Sequence, residues 1–109
     1  YVKQDIPVIC LTISLVLSGS YNSARTAADL IKEDYPDAKI AVFDSKQNTV
    51  TQALLVNEIV KMKNDGLSFE ESVEKIDKLI PTFSLLLVLL IILESVVVLE
   101  SLLQLQQVN

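Results

Sequence analysis

The chain has 109 residues, half of them apolar, which is enough for one small domain with a single core. Its formal net charge of -5 argues against nucleic acid and anionic membrane surfaces as partners. There is no histidine and only one cysteine, Cys10, so this chain alone cannot form a Ser-His-Asp site, a Cys-His site, a disulfide or a His-based or Cys-only zinc site.

A strand, a small-residue turn and a helix open the chain. The near-continuous apolar run Val8–Ser14 predicts a strand covered on both faces. Ser18-Gly19-Ser20 predicts the turn, and apolar residues at helical spacing predict a helix over Ser20–Asp34, with Ser18 or Ser20 as its N-cap. Such a turn aims free backbone N–H groups beyond the carboxyl end of the strand, which favours an anion site.

A second strand and helix follow the first pair. The pattern predicts a strand over Lys39–Ser45 that ends in the polar pair Asp44-Ser45. The next helix is expected over Thr49–Asn64, with Leu55, Ile59 and Met62 as its apolar stripe and Gly66 in the left-handed region just after it.

A capping box marks the third helix, with Ser68 at the N-cap and Glu71 three residues later. This helix is expected to reach about Leu79 and to be ended by Pro81.

The last segment, Thr82–Asn109, lacks Gly, Ala, Lys, Arg and Asp. Its apolar run is cut by Glu94, well short of the roughly 20 apolar residues that a membrane span needs, so we expect no stable membrane insertion. The pattern predicts a third buried strand over Phe83–Leu89. A final helix is expected after it, with these residues in register: Ile92, Val96, Leu99 and Leu103.

The predicted order βαβααβα indicates an α/β fold, a parallel sheet with helices on both faces. In such sheets, ligands bind outside the carboxyl ends of the strands. Ser18-Gly19-Ser20 and Asp44-Ser45 both fall at that edge.

The stretch Ser14-Leu15-Val16-Leu17-Ser18-Gly19-Ser20-Tyr21-Asn22-Ser23-Ala24 resembles the DegV family of bacterial lipid-binding proteins, whose pattern there is Ser-Ser-x-Leu-Ser-Gly-Thr/Ser-Tyr-x-Ser-Ala. Val42-Phe43-Asp44-Ser45 matches the Val-x-Asp-Ser end of the next family strand, and Ala53-Leu54-Leu55-Val56 matches a family helix. The resemblance covers about residues 6–81. The chain departs from it at Leu15, Thr51 and Ala53 and lacks the family's later Gly-Gly-Arg turn.

The resemblance implies a DegV-like first domain, residues 1–109 being one α/β domain of a larger two-domain protein. It implies a long-chain fatty acid as ligand, held by its carboxylate, with no other cofactor and no metal. Ser18, Gly19 and Ser20 would bind the carboxylate, supported by Ser14, Asp44 and Ser45. The protein would be a carrier and not an enzyme, and could present its lipid to a partner fatty acid kinase. Since neither a signal peptide nor a twin-arginine segment opens the chain, we expect it in the cytoplasm.

Alternatives remain open from the residues themselves. Ser18 or Ser20 could simply cap a helix, and Asp44-Ser45 could form a plain turn. A serine hydrolase with Ser18 as nucleophile is one rival function, although the Gly-x-Ser-x-Gly elbow is absent because Val16 and Ser20 occupy the glycine positions. A nucleotide-binding module is the other, although neither Gly-x-Gly-x-x-Gly nor Gly-Lys-Ser/Thr occurs.

Overall fold

The computed structural model describes residues 1–108. Its two strands are β1 (Val8–Thr12) and β2 (Ile40–Asp44), preceded by one turn of 3-10 helix at Val2–Gln4. The three α-helices are α1 (Ser20–Asp34), α2 (Thr49–Asn64) and α3 (Phe69–Val108). The bounds of α1 and α2 are those that the sequence predicts, and each strand is shorter than predicted.

The two strands form a parallel sheet in which Val8 pairs with Ile40 and Thr12 pairs with Asp44. Their carboxyl ends therefore lie at one edge, the carboxyl edge, which is continued by Ser45, whose amide donates to the Thr12 carbonyl oxygen at 3.1 Å. A βαβ unit of this kind requires the crossover helix that α1 supplies.

Helices cover both faces of the sheet, which confirms the predicted α/β class. One face packs against α2 and α3 through Ile9, Leu11, Ala41 and Phe43. On the other face, Val8, Cys10 and Val42 line a groove together with the alanines of α1. This division follows from the period of two in a strand, which sends successive side chains to opposite faces.

The core is small and lies between the sheet, α2 and α3. Leu55 and Ile76 are fully buried, and Phe43 and Ile80 are at most 8% exposed. Ile59 and Met62 of α2 pack against this cluster, as the predicted helical stripe requires.

The end of α2 and the start of α3, on either side of Leu67, agree with the sequence predictions. Gly66 has φ 81°, the left-handed conformation expected after α2. In the capping box, the Ser68 amide donates to Glu71 Oε2 at 2.8 Å and the Glu71 amide donates to Ser68 Oγ at 3.1 Å.

The predicted end of the third helix at Pro81 and the predicted strand over Phe83–Leu89 are both wrong. Pro81 lies inside α3, and the order within the described residues is βαβαα. Pro81 removes one backbone donor, while the hydroxyls of Thr82 and Ser84 donate to the carbonyl oxygens four residues earlier. A short apolar run does not by itself distinguish a buried strand from a helix, and the leucines here favour the helix.

The carboxyl half of α3 extends away from the core and gives the molecule a length of 71 Å. The predicted final helix is present, but its stripe is not covered: Ile92, Val96, Leu99 and Leu103 are 47–59% exposed. By length and composition alone, Phe69–Gln107 qualifies as a helix that could cross a membrane, with 0% of its most apolar window buried. Glu94 and Glu100 interrupt this apolar surface, and the absence of stable insertion stays a prediction.

Candidate functional site

The segments after the two strands meet at the carboxyl edge, where the candidate site residues lie. Because β1 and β2 are parallel and in register, the turn 14–20 and the loop 44–48 leave the sheet side by side. The Ser14 amide donates to the Gln47 carbonyl oxygen at 2.9 Å and links the two segments directly.

The turn after β1 is organised by the backbone of Ser14. Its carbonyl oxygen accepts from the Leu17 amide at 2.9 Å and from the Ser18 amide at 3.2 Å. Among the described residues, the Ser14 hydroxyl makes no hydrogen bond, and the side chain is half-buried. Ser14 therefore fixes where Ser18 stands.

Gly19, and not Ser18 or Ser20, is the N-cap residue of α1, so that prediction is wrong. The Ser18 hydroxyl nevertheless takes part in the helix start, because its oxygen accepts the Ser20 amide at 3.2 Å. Within residues 1–107 that hydroxyl donates to no protein atom, so its hydrogen can point to a ligand. Ser18 is half-buried, whereas Gly19 and Ser20 are exposed.

Gly19 leaves the start of α1 open. A Cβ placed on Gly19 would meet nothing within 4 Å, and its φ of -74° is one that any residue adopts. The role of glycine here is thus access to the backbone and not conformational freedom. The first amides of a helix lack intrahelical partners, so those of Gly19, Tyr21 and Asn22 are available to a ligand at the start of α1.

Asp44 joins the two segments from the other side. Its Oδ1 accepts from the Lys46 amide at 2.9 Å and from the Leu15 amide at 3.2 Å. The first bond forms a tight turn in which Lys46 has φ 54°, and the second reaches the turn after β1. Asp44 therefore forms the plain turn that the sequence allows and also ties together the two segments of the site.

Ser45 faces inward. It is 0% exposed, its hydroxyl donates to the Gln47 carbonyl oxygen at 3.2 Å, and its oxygen accepts the Gln47 amide at 3.1 Å. With both hydroxyl functions used, Ser45 can only support the loop and cannot contact a ligand in this arrangement.

Gln47 is a residue that sequence reasoning missed. It is 2% exposed although it is a polar residue in a loop, and its Nε2 donates to Ser84 Oγ of α3 at 2.8 Å. No local pattern identifies such a residue, because its partner lies 37 positions away in the chain.

An open cleft of about 440 Å³ lies next to this edge, between α1 and α3 along the free side of β2. Its walls near the site carry Tyr21, Arg25, Asp44 and Lys46, and Ser18 is not among its lining residues. The two cations are balanced by the carboxylates of Asp44 and Asp77, which line the same cleft, so its lining carries no net charge.

The charge pairs with shifted pKa values lie elsewhere. Lys39 Nζ is 2.8 Å from Glu70 Oε1, and this hydrogen bond raises the pKa of Lys39 and lowers the pKa of Glu70. Lys39 precedes β2, at the opposite edge of the sheet from Ser18. In the part of the chain that the structure describes, no group of three or more acidic or cysteine side chains could hold a metal ion.

Comparison with known proteins gives a family match. A family model described as "Uncharacterised protein, DegV family" matches residues 1–92. A DegV domain-containing protein of Clostridium perfringens is 44% identical over 71 residues, which are 65% of this chain and 24% of that protein.

Two solved structures are similar in both sequence and fold. A stearic acid-binding protein from Eubacterium ventriosum has 60% identity and a TM-score of 0.64, over 70% of this chain and 26% of that one. The fatty acid kinase B3 protein of Streptococcus pneumoniae, loaded with linoleic acid, has 44% identity and a TM-score of 0.62, over 64% of this chain and 25% of that one. This chain spans about a quarter of the length of these relatives.

Proposed function

Because this chain belongs to the DegV family, we propose that it forms the carboxylate-binding part of a protein that carries a long-chain fatty acid. The single observation that carries the proposal is the Ser18 hydroxyl, which stands at an open helix start with its hydrogen unused by the described protein atoms. The fatty acids in the two solved relatives support it, since both share this region of the fold.

Ser18 and Gly19 carry the binding role in this proposal. The Ser20 amide occupies one lone pair of Ser18 Oγ, which leaves the hydroxyl hydrogen to donate to a carboxylate oxygen. The Gly19 amide adds a second donor, and the N-terminal end of α1 favours the negative charge. A hydrogen bond to a charged group contributes about 1.5–3 kcal/mol.

Ser20 acts mainly through Ser18, since its amide is already bonded to that hydroxyl oxygen. Ser14, Asp44 and Ser45 hold the two segments and are proposed to act through the position of Ser18. The apolar chain of the ligand then needs walls that these residues do not provide. We assign those walls to a second domain of the larger protein, in accordance with the two-domain organisation that the family resemblance implies.

A carrier accounts for the site better than a serine hydrolase does. A nucleophilic serine needs a general base within hydrogen-bond reach, and this chain has no histidine. The Ser18 oxygen instead accepts an amide hydrogen, which draws electron density away from it and lowers its nucleophilicity. A nucleotide-binding role lacks any phosphate motif.

A carrier also needs a recipient. We propose that the bound carboxylate is presented to a partner fatty acid kinase in the cytoplasm, which phosphorylates it without chemistry by this chain. The relative from Streptococcus pneumoniae, a fatty acid kinase B3 protein, supports this assignment.

The test is mass spectrometry of an organic extract of the intact protein, purified without a delipidation step. We expect about one long-chain fatty acid per protein molecule, and much less from a Ser18→Ala variant of equal melting temperature. An extract of the unmodified protein without stoichiometric fatty acid would overturn the proposal. Hydrolysis of an ester substrate that is lost in Ser18→Ala would favour the hydrolase instead.

A further inference from the structure

Gln47 is bonded to three different parts of the fold. Its carbonyl oxygen accepts from the Ser14 amide at 2.9 Å at the end of β1. Its amide donates to Ser45 Oγ at 3.1 Å at the end of β2, and its Nε2 donates to Ser84 Oγ at 2.8 Å on α3. No other described hydrogen bond joins the loop 44–48 to α3.

The side chain of Gln47 is not optimised for stability. Its Oε1 is the one buried side-chain oxygen or nitrogen in the described part of the chain that has no hydrogen-bond partner. Exchanging the amide oxygen and nitrogen does not solve this, because the Ser84 hydroxyl could then donate to Oε1 but Nε2 would take the buried position that has no partner. A buried polar atom without a protein partner costs stability, so the bond to Ser84 is the one described side-chain hydrogen bond that holds Gln47 in place.

The position of Ser18 depends on Gln47 through two backbone hydrogen bonds. Gln47 holds the Ser14 amide, and the Ser14 carbonyl oxygen holds the Ser18 amide at 3.2 Å. The loop that carries Gln47 also contains Lys46 at φ 54°, and it is followed at the start of α2 by Thr49 at φ 44°. Non-glycine residues adopt this conformation at a cost, so the loop needs an external anchor to stay in place.

We propose that Gln47 is a positioning residue, which anchors the loop after β2 to Ser84 of α3 and thereby sets the Ser18 hydroxyl for the carboxylate. This inference rests on the proposed function, because it assigns Gln47 to the same carboxylate site. The unpaired Oε1 lowers stability, but the same amide group provides the bond to Ser84, which an apolar side chain of similar size, such as leucine, could not form.

The experiment compares stearic acid with stearyl alcohol, which has the same chain but no carboxylate, on delipidated intact protein. Displacement of a fluorescent fatty-acid analogue gives both affinities. We expect Gln47→Ala and Ser84→Ala each to weaken binding of the acid by about threefold to tenfold and to leave binding of the alcohol within about twofold. Gln52→Ala is the matched control, because Gln52 Nε2 also makes a long-range hydrogen bond, to the Leu11 carbonyl oxygen of β1 at 3.3 Å, and no described hydrogen bond joins Gln52 to α3.

Amide hydrogen exchange provides a readout that needs no ligand. The Ser14 and Ser18 amides are expected to exchange faster in Gln47→Ala and Ser84→Ala than in Gln52→Ala. If Gln47→Ala does not fold, Ser84→Ala breaks the same side-chain bond from α3 and decides the question.

An unchanged ratio of acid to alcohol affinity in both variants would overturn the role of Gln47 while leaving the fatty-acid site intact. If the unmodified protein binds the acid no more tightly than the alcohol, the proposed carboxylate site is refuted, and the positioning role of Gln47 is refuted as well. Unchanged exchange at Ser14 and Ser18 would overturn the role of Gln47 whatever the lipid measurements show.

Discussion

Asp44 and Leu15 are 29 positions apart in the chain, and the Leu15 amide donates to Asp44 Oδ1 at 3.2 Å. Through this contact, the residue that ends β2 holds the turn that follows β1. The same oxygen accepts from the Lys46 amide at 2.9 Å, so a single carboxylate oxygen sets both segments of the carboxyl edge.

Removing this carboxylate should loosen both segments. We expect Asp44→Ala to lower the free energy of unfolding by about 1–3 kcal/mol and Asp44→Asn to lower it less, because the amide oxygen still accepts hydrogen bonds. Chemical denaturation measures the change. Asp29→Ala, at an exposed position on α1, should stay within about 0.5 kcal/mol of the unmodified protein, and an equal loss in both alanine variants would refute the role of Asp44.

Ser18→Ala should weaken fatty-acid binding by about tenfold to a hundredfold, since one charge-assisted hydrogen bond is lost. Isothermal titration with a delipidated protein measures this. Thr26→Ala is a suitable control, because the Thr26 hydroxyl donates to the Asn22 carbonyl oxygen at 2.9 Å, inside α1 and one turn beyond the site. If both variants bind as the unmodified protein does, Ser18 does not contact the carboxylate.

The two glycines of the chain should respond differently to alanine. Gly19→Ala fits the backbone and meets open space, but alanine is a poorer N-cap than glycine, so stability should change by less than about 0.5 kcal/mol, while the new methyl group hinders the carboxylate and weakens binding. Gly66→Ala should lower stability by about 1 kcal/mol with binding unchanged, because Gly66 has φ 81°. Thermal melts and lipid titrations of the two variants should give opposite patterns, and identical patterns would contradict the assignment of Gly19 to the site.

The two halves of α3 should differ in their contribution to stability. Ile76 is 0% exposed, so Ile76→Ala should lower the free energy of unfolding by about 2–5 kcal/mol. Ile92 is 55% exposed, so Ile92→Ala should change it by less than about 0.5 kcal/mol. A large loss from Ile92→Ala in urea denaturation would mean that the carboxyl half of α3 is covered in solution.

The capping box predicts a specific response to acid. The hydrogen bond from the Ser68 backbone amide, and after it the interaction with the Ser68 side chain, lower the pKa of Glu71 from its ordinary 4.5. The folded state therefore binds fewer protons than the unfolded state in this range, and the stabilisation is present above pH 4.5 and is lost as the pH falls through the lowered pKa.

Thermal melts from pH 7 to pH 3 measure this dependence, with Glu71→Gln as the matched variant. Glutamine also fits the N3 position of a capping box but does not titrate, so the melting temperature of this variant should fall less steeply below pH 4.5. Parallel curves for the two proteins would show that the Glu71 carboxylate does not contribute.

Local sequence patterns were sufficient for most of the regular structure. The apolar spacing and the small-residue turn located α1, the pattern of Leu55, Ile59 and Met62 located α2, and Ser68 with Glu71 located the start of α3. These features depend on contacts within a few residues, which a single sequence displays directly.

The continuation of α3 through Pro81 could not be inferred in the same way. A proline usually ends a helix, and the apolar run after it suits a buried strand as well as a helix. The choice depends on which partner is available, and in this structure the residues after Pro81 continue the helix while no strand of the described chain pairs with the run.

The sequence by itself determined which residues line the carboxyl edge, because parallel strands place Ser18 and Asp44 at the same end of the sheet whatever packs around them. Only the tertiary structure decided what each does: Asp44 holds the amide of Leu15, Ser45 turns inward, and Gln47 reaches Ser84. The physical reason is that a helix between two successive strands makes them parallel, which the order of elements in the sequence already displays, whereas the partner of a hydrogen-bonding side chain is set by residues distant in the chain.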